Sequence, residues 1–111
     1  MAISEYGAGG SLGQSMPSPD YRPKPGGKCH PVDYQLAHHV ASWNAIKANP
    51  HIWGAFVWVI FDTGSDSRRE GARDGINDKG LVCFDHKTVK PAYLFYQKEW
   101  QTTEEKKGAE R

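Results

Sequence analysis

The run Ile52-Trp53-Gly54-Ala55-Phe56-Val57-Trp58-Val59-Ile60-Phe61 contains no charged or hydrogen-bonding polar side chain beyond its two indoles. A continuous apolar run of this length, rather than an alternating one, reads as a strand covered on both faces. Such strands belong to parallel sheets, where neighbouring strands are joined by long crossovers that usually carry a helix. A helix stands upstream: Leu36, Val40, Trp43 and Ile46 recur at three- and four-residue steps between Val32 and Ala48, with Ala37, Ala41 and Ala45 beside them. Pro31 suits its first turn, and Pro50 drives Asn49 out of helical geometry. Ahead of the helix, Ala2-Ile3-Ser4-Glu5-Tyr6 reads as a short strand halted by Gly7, Gly9 and Gly10. The order strand, helix, strand predicts two adjacent parallel strands. Glu5 and the Trp58 to Asp62 segment then share one carboxyl-terminal rim, where ligands bind in barrels and open α/β sheets.

Two loops decorate that rim. Gly7 to His30 is rich in Gly, Pro and Ser, with four of the seven prolines between Pro17 and Pro25, so it holds neither helix nor central strand. Loops of more than about 15 residues are usually functional or disordered. Asp62 to Gly80 is polar and glycine-punctuated, a second long loop on the same face. Leu81 to Phe84 is a brief extended piece, Pro91 opens a last helix through about Trp100, and residues 102–111 read as a solvated, disordered polar tail after a body spanning 1–101. The fold class is α/β. At 111 residues the chain is far short of the roughly 250 that a closed (β/α)8 barrel needs.

Fourteen Lys and Arg against thirteen Asp and Glu leave a formal charge of +1, so no bulk field draws the chain to nucleic acid or anionic lipid. The apolar run is about half the length of a membrane-spanning helix, and the opening residues carry no basic or apolar leader pattern, which leaves the compartment open. Cys29 and Cys83 lack CxxC spacing and read as two free thiols. Gly7-Ala8-Gly9-Gly10-Ser11-Leu12 is not a phosphate-cradling loop, because Leu12 stands at the third required glycine and no helix pattern follows. Asp62, Ser65 and Asp66 lack the spacing and terminal Glu of a calcium loop. His38 and His39 are helical neighbours facing different directions, and His30, His51 and His86 are scattered, so all five read as surface or capping residues. No metal or cofactor is expected.

Glu5 is the sharpest residue. A carboxylate ending an apolar strand is costly to bury unless paired, so it belongs either to a structural ion pair or to the chemistry of a site. Retaining glycoside hydrolysis needs two carboxyl groups about 5 to 5.5 Å apart. Glu5 is one candidate by strand position and Asp62 a weaker second. Trp43, Phe56, Phe95 and Trp100 fit packing positions, whereas Trp58, at a strand end, is either core or a flat surface for a sugar ring.

Three ordered blocks, Ile3-Ser4-Glu5-Tyr6-Gly7-Ala8-Gly9, Ile52 to Trp58, and Gly75-Ile76-Asn77-Asp78-Lys79-Gly80-Leu81-Val82, resemble the carboxyl-terminal part of the catalytic barrel of glycoside hydrolase family 2. Bacterial β-galactosidases of that family are the nearest likeness, and it spans about Ala2 to Trp100. The resemblance implies the last two β/α units of a (β/α)8 TIM barrel: strand seven at Ile3 to Tyr6, helix seven at Val32 to Ala48, strand eight at Trp53 to Phe61 and helix eight at Pro91 to Trp100. It implies Glu5 as the catalytic nucleophile of a retaining β-glycosidase, Trp58 lining the sugar subsite, and Tyr6, Asp62, Asn77 and Lys79 shaping the pocket. Asn77-Asp78-Lys79 also resembles the Asn-x-Lys pair with which family β-glucuronidases hold a sugar carboxylate. Galactoside is placed first and uronide second, with a non-catalytic sugar-binding remnant as the alternative from another class. The family's acid/base glutamate follows an asparagine, and this sequence contains no Asn-Glu pair. The isolated chain is therefore expected to be inactive and to need the remainder of the barrel or a partner chain, losing about 10² to 10⁴ in rate from the missing acid alone.

Overall fold

The computed structural model describes residues 1–24 and 26–110, with side chains described through residue 102. Its elements run β1 (Ala2–Tyr6), α1 (Val32–Ala48), β2 (Gly54–Val57), β3 (Thr63–Gly64), β4 (Ile76–Asn77) and α2 (Pro91–Glu110). β1 lies parallel to β2, with Ala2 opposite Gly54, Ile3 opposite Ala55 and Tyr6 opposite Val57. The expected pair of parallel strands joined through α1 is therefore present, in a small mixed α/β domain.

The second strand is shorter than the apolar run. Expected over Trp53 to Phe61, it is regular only at Gly54–Val57. The reason lies in where the backbone finds partners. Trp58 N–H still donates to Tyr6 O at 2.8 Å, but Val59 N–H turns to Lys79 O, and Asp62 N–H donates to Val82 O at 2.9 Å. The strand thus leaves β1 and pairs with residues 79–82, including a parallel bridge between Phe61 and Val82. Nor is the second loop structureless, since β3 and β4 pair antiparallel within it, Thr63 opposite Asn77 and Gly64 opposite Ile76.

α1 has the expected bounds. Pro31 precedes it in extended geometry, and Asn49 leaves the helix at φ −105° and ψ 105° under the constraint of Pro50. Asp33 in the first turn and Lys47 in the last complement the helix dipole. Its buried face differs from the apolar stripe, for Gln35 and His39 are fully buried while Leu36 and Val40 are half-buried. A carbonyl from each of the two rim loops ends against this helix, and a polar side chain meets them: Gln35 Nε2 donates to Ala8 O and to Gly80 O, both at 3.0 Å.

The apolar core is small. Leu81, Ala92 and Tyr96 form its centre, with Tyr6, Trp43, Val57, Tyr93 and Phe95 packed around them. β2 is not covered on both faces by the described residues, since Phe56 is 62% exposed. α2 runs on from Trp100 to Glu110, through most of the expected disordered tail; Glu, Lys and Ala favour helix there and no proline interrupts. Arg111 lies outside the described residues.

Candidate active site on the strand rim

Because β1 and β2 are parallel, their carboxyl ends lie at one edge. Glu5 is the next-to-last residue of β1 and is exposed, and Trp58 immediately follows β2, tied to Tyr6 by the backbone bond described above. Trp58 is 46% exposed, and the peptide bond that follows it is cis. Gly7 is required by this close approach, since a Cβ there would lie 2.3 Å from Trp58 O. Glycine thus lets the chain leave β1 across the end of β2.

Tyr6 and Asp62 point into the molecule rather than onto the rim. The Tyr6 hydroxyl accepts a 2.8 Å hydrogen bond from Tyr96, whose oxygen lies 2.7 Å from His39 Nδ1. Burial raises the Tyr6 pKa, with the Tyr96 bond opposing it. Asp62 is buried against Lys90, its Oδ1 accepting from Lys90 Nζ at 2.7 Å and from Gly80 N–H at 2.9 Å. Burial pushes the Asp62 carboxyl up while the Lys90 contacts and the Gly80 N–H pull it back. Lys90 is completely buried, and its ammonium also reaches Gly10 O at 2.7 Å and Asp78 O at 3.1 Å, so its three N–H groups are matched by three acceptors.

Asn77 and Lys79 flank a buried carboxylate. Asp78 Oδ2 accepts from Ser11 Oγ at 2.7 Å, and both Asp78 carboxylate oxygens lie 2.9 Å from His30 Nδ1. Burial would raise the Asp78 pKa, but the hydrogen bonds from His30 and Ser11 outweigh it and hold the carboxyl below its usual range. The same bond raises the His30 pKa against its own burial. Gly71 closes the pocket at φ +73°, where a Cβ would sit 2.5 Å from Asp78 Oδ2. Asn77 Oδ1 accepts from Lys79 N–H at 3.1 Å. With its oxygen engaged, the Asn77 amide offers N–H donors in the same loop as the Lys79 ammonium, a pairing suited to an anion.

The sequence reading missed this network. His30 and His39 were expected at the surface or as caps, yet His30 pairs with Asp78, and His39 is fully buried with burial holding its imidazole down at about 4. Their partners stand 48 and 57 residues away, so local spacing carried no signal. Asp78 was visible only as the middle of the Asn-x-Lys motif, and Lys90 only as the residue before Pro91. Cys29 and Cys83 are free. Among the described residues there is no group of three or more His, Cys, Asp or Glu that could hold a metal ion, and no helix is long and apolar enough to cross a membrane.

No family model matches the chain. A β-glucuronidase of Bacteroides fragilis is 45% identical over 104 residues, which is 94% of this chain and 15% of that protein. The crystal structure of an FMN-binding β-glucuronidase from Faecalibacterium prausnitzii L2-6 is 35% identical with a TM-score of 0.74, the match covering 86% of this chain and 14% of that one. A Bacteroides fragilis structure described as a β-galactosidase gives 29% identity and a TM-score of 0.78 over 89% of this chain and 15% of that one. The resemblance to glycoside hydrolase family 2 thus holds over nearly the whole of this chain, in sequence and in fold. Its homologues are glycoside hydrolases, and the chain spans 15% of the length of the curated relative it matches.

Proposed function

We propose that these residues form the last two β/α units of the catalytic barrel of a retaining β-glycosidase that cleaves β-uronides. In this reading Glu5 attacks the anomeric carbon, giving a glycosyl-enzyme that water hydrolyses with retention. Trp58, exposed on the same rim, supplies a flat apolar surface for the sugar ring. Asn77 and Lys79 hold the sugar carboxylate, and Tyr6 and Asp62 act from the interior, fixing the strand end and the loop. The observation that carries the choice of sugar is the Asn77 Oδ1 bond from Lys79 N–H, which turns the amide oxygen toward the backbone and leaves both amide N–H donors free to join the Lys79 ammonium on an anion. The 45% identical β-glucuronidase supports the same choice, so uronide is placed ahead of galactoside.

The general acid belongs to a barrel strand outside these 111 residues, and the remainder of the barrel completes the site. Two assays test the reading. Binding of methyl β-D-glucuronide and of methyl β-D-galactoside to the chain, followed by tryptophan fluorescence, is expected to favour the glucuronide and to lose that preference in Lys79→Met. Hydrolysis of chromogenic glucuronide and galactoside by the chain alone is expected to be undetectable; robust turnover abolished by Glu5→Gln would show that these residues already hold a complete pair of catalytic groups.

A further inference from the structure

Beside Lys79 lies an open cleft of about 360 Å³ whose lining includes Lys24, His30, Tyr34, Arg68, Glu70 and Lys79. A cleft of this size lies within the range of small-molecule sites. Three fixed cations face one carboxylate there, and Glu70 is already engaged by Arg68. Lys24 is exposed, and its ammonium makes no hydrogen bond or ion pair among the described residues. It stands between Pro23 and Pro25 in sequence, and prolines reduce the freedom a loop must lose when it takes a ligand. His30 is oriented from behind: Nδ1 faces the Asp78 carboxylate at 2.9 Å, and Nε2 makes no hydrogen bond among the described residues. The cleft therefore presents cations and an imidazole without an internal anion left to satisfy them.

The cleft adjoins the rim. Lys79 O accepts from Val59 N–H, directly after Trp58, while Lys79 lines the cleft. A sugar unit held at Trp58 and Lys79 therefore has the cleft as its neighbour. We infer that this cleft is a second anion subsite, in which Lys24 and His30 take the acidic group of the sugar unit adjoining the one that is cleaved. This rests on the uronide reading of Asn77 and Lys79 and narrows it, from any β-uronide to acidic oligosaccharides carrying a second carboxylate or sulfate. Asp78 acts here as a positioning residue, through His30.

The test compares two probes on the 111-residue chain by calorimetric titration: methyl β-D-glucuronide, with one carboxylate, and a β-linked glucuronic acid disaccharide, with two. The disaccharide is expected to bind about tenfold more tightly, the gain of one charge-assisted contact. His30→Gln and Lys24→Ala are each expected to bring that ratio toward one. The Lys24 side chain is exposed and makes no hydrogen bond among the described residues, so its variant separates loss of the subsite from loss of folding. Equal affinity for the two probes in the wild-type chain, or a ratio that survives both substitutions, overturns the subsite while leaving the Lys79 reading standing. Absence of any glucuronide binding defeats both. Inorganic phosphate that binds with the same dependence on Lys24 and His30, with no preference for the disaccharide, overturns the assignment to sugar.

Discussion

The rim loops and the sheet they crown are built in opposite ways. Under the loops, Ser11, Asp62, Asp78 and Lys90 are buried, and each has hydrogen-bonding partners within the described residues. Buried ions are tolerated only when paired and bonded in good geometry. Over the sheet and the outer helix faces the position is reversed, with Trp53, Phe56, Ile60 and Leu94 all exposed. Parallel strands are normally covered on both faces. The buried charges beneath the loops are thus paired within this chain, although Gln35 Oε1 and His39 Nε2 beside them have no partner among the described residues, while the apolar face is left uncovered by the described residues. The geometry of Asn77 and Lys79 is consequently fixed by contacts inside this chain, whereas the stability of the strands that carry Glu5 and Trp58 is not.

The contrast breaks most sharply at Lys90. Lys90→Met removes the cation paired with Asp62 and takes a donor from Gly10 O and from Asp78 O, the latter keeping its 2.9 Å bond from Gly10 N–H. Truncating one partner of a buried pair costs about 3–5 kcal/mol, comparable to the whole stability of a small domain. Urea unfolding is expected to show no folded baseline for this variant; a transition within about 1 kcal/mol of wild type would mean that the network does not organise the fold. Ser11→Ala is a smaller change of the same kind. Asp78 keeps His30 but loses a 2.7 Å donor in a buried site, at a cost of about 1–3 kcal/mol in the same unfolding experiment.

Titration sharpens the comparison, because the half-buried His30 and the buried His39 respond to pH with opposite sign. The folded His30 pKa is raised, so its contribution is present below the unfolded value of about 6.5 and fades as pH climbs through the folded value. The folded Asp78 pKa is depressed, so its contribution is present above about 3.9 and lost as pH falls through the folded value. His39 runs the other way. Held down at about 4, it binds fewer protons than the unfolded chain between about 4 and 6.5, so the folded state loses stability as pH falls through that window. His39→Gln is expected to reduce the drop in Tm between pH 7 and pH 5 by several degrees. Profiles that stay parallel would place the acid sensitivity elsewhere.

What was legible in the sequence follows the same division. The parallel pair, the bounds of α1 and the shared rim of Glu5 and Trp58 were readable because Pro31, Pro50, the glycines after Tyr6 and the apolar run act locally. The burial of Gln35 and His39 was not. They recur at the same four-residue step as an apolar stripe, but their reason for burial is a set of loop carbonyls and a tyrosine far along the chain. Asp62 was readable as a carboxylate near the rim, yet its direction was set by Lys90, 28 residues on. Even β2 was read too long, because an apolar residue does not say which backbone it will pair with.

The smallest effect on folding is expected where the surface is most conspicuous. Trp53 is 78% exposed, and within these residues it buries too little area for its loss to cost more than about 0.5 kcal/mol. Trp43 is the useful contrast, half-buried on α1 with its ring 6.2 Å from that of Tyr96. If the open face awaits further strands, Trp53→Ser leaves Tm nearly unchanged but lowers the self-association that an uncovered apolar face promotes. Sedimentation velocity across a concentration series checks this, with the variant shifting toward monomer at concentrations where the parent chain associates. A fall in Tm as large as that from Ser11→Ala would show instead that the sheet face is already part of a finished core, and the division between paired buried charges and an uncovered apolar face would fail.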